Sequence, residues 1–100
     1  MPASKNSTVE VENFTSPGSV RRVDGAKHAA MQAAFLKILP AAAPGLTPLE
    51  IQKRVLAYLP QDLFPGGAKA GWWVKCVQLD LEAKGIIARE KTPPVRLHKI

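Results

Sequence analysis

Apolar residues repeat at helical spacing in three stretches of the chain and at strand spacing near its C-terminus. Met31, Phe35 and Leu39 fall four apart with Ala34 and Ile38 beside them, giving a helix over about residues 25–39 one apolar face. Asp24 stands where an N-cap belongs, and Pro40 ends the helix because it has no amide hydrogen to donate. Thr47-Pro48-Leu49-Glu50 is a stronger start signal: a hydroxyl cap, a proline at the first helical position and a carboxylate three residues after the cap. Ile51, Val55, Leu56 and Leu59 form the stripe of this second helix, and Pro60 stops it. A turn follows in which Leu63 and Phe64 are expected to tuck back onto the core. The third helix is predicted over about residues 69–84, and Gly85 suits the left-handed position just past its end. Residues 86–91 and 95–100 then read as strands, with Thr92-Pro93-Pro94 forcing a turn between them.

The N-terminal stretch is different. Residues 1–20 carry few large apolar groups; Val9, Val11 and Phe14 alternate with polar residues, enough for a short strand but not for a core. Ser16-Pro17-Gly18-Ser19 is a turn or linker signal. The expectation is a flexible or loosely attached arm over residues 1–20 and a compact domain over residues 21–100. The order of elements predicts an α+β, mainly α fold: a winged helix-turn-helix of three helices with a C-terminal two-stranded β-hairpin as the wing. Gly45-Leu46, between the first two helices, is placed to add a short third strand.

Leu81-Glu82-Ala83-Lys84-Gly85-Ile86-Ile87 resembles the end of the recognition helix in many bacterial winged-helix regulators. A wider set of segments is similar to a family of small uncharacterised bacterial proteins: Ser16-Pro17-Gly18, Arg22-Val23-Asp24, Leu63-Phe64-Pro65-Gly66-Gly67, Gly71-Trp72-Trp73 and Val77-Gln78-Leu79-Asp80 running on to Gly85. The resemblance covers roughly residues 13–100. It implies a winged-helix fold and brings no activity and no catalytic residues.

Charge adds a direction. The 100 residues hold 14 Lys and Arg against 8 Asp and Glu, a formal charge of +6, and the excess gathers in the last third. If the domain binds DNA, the third helix is the element that reads the groove. Lys69, Lys75 and Gln78 are the candidates at or near the major groove, with Arg89, Lys91 and Arg96 of the wing on phosphates and Arg21 and Arg22 as a short basic arm. The same cations also suit solvated strand edges that discourage edge-to-edge pairing. Glu82 would repel phosphate, and the polar wedge of Lys75, Gln78 and Glu82 is narrow.

The third helix carries two apolar stripes. Ala70, Trp73, Val74, Val77 and Leu81 suffice for the core; Trp72, Cys76, Leu79 and Ala83 make a second. Either the helix is sandwiched within the fold, with the Leu63-Phe64 loop over Trp72, or Trp72, Cys76 and Leu79 face a protein partner or a second copy. Trp72-Trp73 could stack on bases, but Trp73 belongs to the core stripe.

Other chemistry finds little purchase. The single cysteine, Cys76, excludes an intramolecular disulfide and a cysteine-only metal site, and its apolar mid-helix setting disfavours a thiolate. His28 and His98 have no metal-ligand spacing with it. Asp80 and Glu82, two apart, do not face each other on a helix, whereas Asp80 and Lys84, four apart, are expected to form a surface ion pair. Gly66-Gly67 lacks the lysine and hydroxyl of a phosphate loop. No apolar run approaches the roughly 18 residues of a membrane span. Met1-Pro2-Ala3-Ser4-Lys5-Asn6 has no apolar segment behind its charge, so a cytoplasmic protein is expected. The resulting expectation is a non-enzymatic domain without cofactor or membrane contact. DNA binding, as a small transcriptional regulator with duplex DNA as partner, comes first. A protein-interaction or dimerisation module is the alternative.

Overall fold

The computed structural model describes residues 8–90 and 92–100. Three helices and two small antiparallel hairpins make an α+β fold. The helices are α1 (Gly25–Ile38), α2 (Pro48–Val55) and α3 (Ala70–Ala83); β1 (Thr8–Glu12) pairs with β2 (Val20–Asp24), and β3 (Ile87–Arg89) with β4 (Leu97–Lys99).

Local signals account for the helices. The Asp24 carboxylate accepts from the Lys27 amide at the start of α1. At α2 the Thr47 hydroxyl accepts from the Glu50 amide at 3.2 Å, and the Glu50 carboxylate accepts from the Thr47 amide at 2.9 Å. The bond from the Thr47 amide holds the Glu50 carboxyl below its ordinary value, and the Thr47 hydroxyl, which lies 3.2 Å from the same carboxylate oxygen and can donate to it, adds to this. A lowered folded value means a contribution present above the ordinary carboxylate range and lost as pH falls through the folded value. Thr47→Ala removes the hydroxyl that caps α2, and the usual cost of losing such an N-cap is about 1 kcal/mol. Thermal unfolding of the two proteins, followed from pH 7 down to pH 3, should show the gap narrowing only in part as Glu50 protonates, because the residue 47 amide still reaches the carboxylate in the variant.

The core joins α1, α2 and α3 through Met31, Phe35, Ile51, Val55, Val77 and Leu81, closed below by Ile87 and Leu97 of the C-terminal hairpin. Trp73, Val74 and Ala70 are buried as the first stripe of α3 requires. Leu46 exchanges backbone bonds with Leu97 at 2.9 and 2.8 Å, so the segment between α1 and α2 does supply a third strand position. Gly45, at φ +88°, makes this approach possible: a Cβ there would run into the Leu97 carbonyl.

The N-terminal hairpin departs from expectation. Residues 1–7 of the expected arm lie outside the described residues. Thr8–Glu12, however, is a paired strand, and Val11 and Val23 are both buried in the main core. The packed chain therefore includes residues placed in the arm, and the strands are split between the two ends of the chain. Residues opposite one another in an antiparallel pair share a face. Val9, Val11, Arg21 and Val23 therefore share the inner face, while Glu10 and Arg22 pair on the outer one, 3.7 Å apart.

Candidate interaction site on the third helix

At 100° per residue, the direction opposite the α3 core stripe falls close to Leu79 and Trp72, with Lys75 and Cys76 to either side. This is the surface a groove-reading helix would offer to DNA. The N-terminal hairpin covers its C-terminal half. The Phe14 amide donates to the Leu79 carbonyl at 3.2 Å, and the Glu12 amide donates to Asp80 Oδ1 at 2.9 Å. Leu79 is consequently only 9% exposed although it points away from the core. The second apolar stripe is thus partly satisfied within the chain, by the hairpin.

Asp80 is the anchor of that cover. Far from a surface residue, its side chain is 0% exposed. Lys84 Nζ donates to it at 2.9 Å, as the four-residue spacing predicts, and His28 Nε2 of α1 donates at 3.2 Å. One carboxylate therefore ties α1, α3 and the hairpin together.

The polar wedge is not open to solvent either. Gln78 is buried and its amide donates to Glu82 Oε1 at 3.1 Å. Arg89 donates to both oxygens of Glu82, through Nη2 at 2.9 Å and through Nε. Donating to Glu82 pushes the guanidinium further above its ordinary value. Gln78 and Arg89, expected to reach bases and phosphate, are thus occupied by an internal carboxylate. The other side of Arg89 stacks on Phe14, 5.1 Å from the ring centre.

The remaining candidate residues separate. Trp72 is 48% exposed at the N-terminal half of α3, its ring edge-on to Trp73 at 4.9 Å. Phe64 packs against Trp73 at 6.4 Å, so the Leu63-Phe64 loop supports the buried indole rather than covering the exposed one. Arg21 lies over the Trp72 ring, 5.8 Å from its centre. Lys69 and Lys75 are exposed. Arg96 is half-buried near Glu50, whose carboxyl it helps to lower. Arg22 reaches Glu10 and Thr8. Lys91 lies outside the described residues. Cys76 is half-buried, and its thiol is pushed up by burial and then by Asp80, against the pull of Arg21, which makes a thiolate unfavourable.

Two grooves flank the outward face of α3. The first, of about 420 Å³, runs between α3 and the N-terminal hairpin, with Val11, Trp72, Cys76 and Leu79 as its apolar lining and Arg21 and Lys75 at its rim. The second, of about 470 Å³, lies toward α2 and the C-terminal hairpin and includes Leu49, Gln52, Val95 and the edge of Arg89. Gly71, Lys75 and Leu79 form the ridge between them. Among the described residues no three His, Cys, Asp or Glu side chains gather as a metal site, and no helix is long and apolar enough to cross a membrane.

A family model described as a family of unknown function (DUF6958) matches residues 8–97. The chain belongs to this family. The DUF6958 match begins at Thr8, the first residue of β1, so it takes in the hairpin that roofs α3 as well as the three helices. Comparison with curated proteins finds no match, and comparison with solved structures finds none. Trp72 and its rim cations were visible in the sequence as types; their meeting with Val11 was not, because it depends on a hairpin whose two strands each bury a single large apolar side chain.

Proposed function

We propose that this chain is a non-enzymatic, winged-helix-type module that binds a protein partner through the open half of the α3 face. The element order α1, Leu46 strand, α2, α3, β3–β4 supports the winged-helix reading. The observation that carries the functional reading is the half-exposed Trp72. A large indole held edge-on to a buried ring and covered by an arginine is already fixed in place, so little side-chain entropy is lost when a partner packs on it. Trp and Arg are also enriched among the residues that dominate protein interfaces. Of the residues expected to read DNA, Gln78 of α3 is internal and Arg89 of β3 is paired with Glu82.

One observation favours DNA as a second reading. Lys69, Lys75 and Arg21 cluster toward the N-terminal half of α3, and none of them has a carboxylate within 4 Å among the described residues. The two readings separate in one experiment. A photo-crosslinking residue introduced at Ser19, which lines the same groove as Trp72, with Ala41 in an exposed loop as control, is expected to give one discrete protein adduct in cells from position 19 only. Trp72→Ala should weaken binding of that partner at least about tenfold, in line with loss of an interface anchor. Duplex DNA bound with a steep salt dependence, lost on Lys69→Ala and Lys75→Ala but indifferent to Trp72→Ala, would overturn the protein reading.

A further inference from the structure

Resting on the protein-binding reading, we infer that the groove between the N-terminal hairpin and α3 takes an acidic amphipathic segment of the partner. In this arrangement an apolar side chain enters between Trp72 and Leu79, and carboxylates meet Arg21 and Lys75.

Charge complementarity carries the choice of occupant. Val11, Trp72, Cys76 and Leu79 give the groove its apolar lining beside the polar Asn13 and Ser19, and the volume of about 420 Å³ admits side chains rather than a folded domain. Arg21 and Lys75 stand at the rim from opposite walls, one from β2 and one from α3. Among the described residues neither has a carboxylate within 4 Å, in contrast to Arg22, Lys84 and Arg89, each of which has its own acid. The acids of α3 cannot serve them, because Asp80 and Glu82 are buried and already bonded to other groups. Among the described residues Glu12 is the one acidic residue along the groove. By register it belongs with Glu10 and Arg22 to the outer face of the hairpin, while Arg21 shares the inner face with Val11.

Two cations flanking an apolar floor select a ligand with the opposite pattern. An apolar peptide would leave both charges facing low-dielectric material, and a basic one would add like charge at close range. An acidic peptide with apolar anchors satisfies both. Its arrival would also displace nothing internal, since Arg21 can accept a carboxylate while keeping its place over the indole.

The test uses the full chain and three synthetic two-turn peptides with the same leucine spacing, carrying Glu, Lys or Gln at the polar positions. Binding is followed by the Trp72 indole NH and by the backbone amides of Val11, Arg21 and Cys76 in heteronuclear NMR. The Glu peptide is expected to shift these four signals and to bind at least about tenfold more tightly than the other two, with affinity falling as salt is raised. The Arg21→Glu, Lys75→Glu double variant should lose that preference and gain one for the Lys peptide, with its α3 core signals unchanged. Equal binding of the three peptides at Trp72 would overturn the acidic class while leaving the protein-binding reading in place. If no peptide moves these signals, or if duplex DNA moves them and competes with the Glu peptide, the groove assignment falls. The crosslinking experiment at position 19 then decides separately on the broader reading.

Discussion

Asp80→Ala is expected to destabilise the protein by about 3 kcal/mol, the usual scale for stripping one partner from a buried charge cluster. The variant leaves the buried His28 ring and the Glu12 amide without their acceptor, and it opens a small void at the junction of α1, α3 and β1. Lys84, more than a third exposed, can turn to water, so the figure stays at the low end of the range. In a domain of this size that corresponds to a melting temperature lower by roughly 15 °C. The distribution of the loss matters more than its size. The N-terminal hairpin buries only Val11 and Val23 among its large apolar residues, and a two-stranded ribbon is marginal without support. Amide exchange in the variant should therefore rise first at Val11 and Glu12, by a larger factor than at α1 or α3 core positions. A uniform loss of protection across the chain would mean that Asp80 serves the core alone and does not fasten the hairpin. Asp80→Asn keeps an oxygen for the Glu12 amide but places an NH₂ group near Lys84 and His28. It should fall between the wild type and the alanine variant.

The same residue marks the limit of what the sequence discloses. The helices were legible because their causes are local. Thr47 and Glu50 close a capping box within one turn, Pro40 and Pro60 cannot continue a helix, and Trp73, Val77 and Leu81 repeat on one face. The C-terminal hairpin and the strand position at Leu46 were legible for a similar reason, since Gly45, Gly85 and the Pro93-Pro94 turn leave few alternatives. The N-terminal hairpin was not. Glu12 and Asp80 are 68 positions apart, His28 and Asp80 52, and nothing in the periodicity of one segment signals a donor in another. A polar residue on a helix is assigned to solvent by default, which misplaces Gln78, Asp80 and Glu82 together. The candidate site inherits that error. The residue types expected at an interface on α3 are present, but their availability depends on an internal acid and a distant hairpin. Trp72 remains open because it lies about two helical turns before the point where Phe14 meets Leu79.

Glu82→Ala should cost about 2 kcal/mol, less than Asp80→Ala because Arg89 keeps partial contact with water while Gln78 loses its only side-chain acceptor. The informative variant replaces both members of the pair. Glu82→Leu with Arg89→Met removes the buried carboxylate and its guanidinium together, and such exchanges are often neutral or stabilising because two desolvated charges disappear at once. The double variant is therefore expected to recover the part of the loss in Glu82→Ala that comes from the unpaired Arg89 charge and the void, while Gln78 still lacks its acceptor, measured by denaturant unfolding. It also weighs the two functional readings. A module that binds a protein through Trp72 and the Arg21–Lys75 rim makes no use of the Arg89 charge, so its partner affinity should stay within about twofold of wild type. A DNA-binding wing that places Arg89 on a phosphate would lose both affinity and part of its salt dependence in the same variant. Retained partner binding together with recovered stability would place the Glu82–Arg89 pair in the architecture that holds β3 against α3. Loss of binding at recovered stability would return Arg89 to the interface and favour nucleic acid.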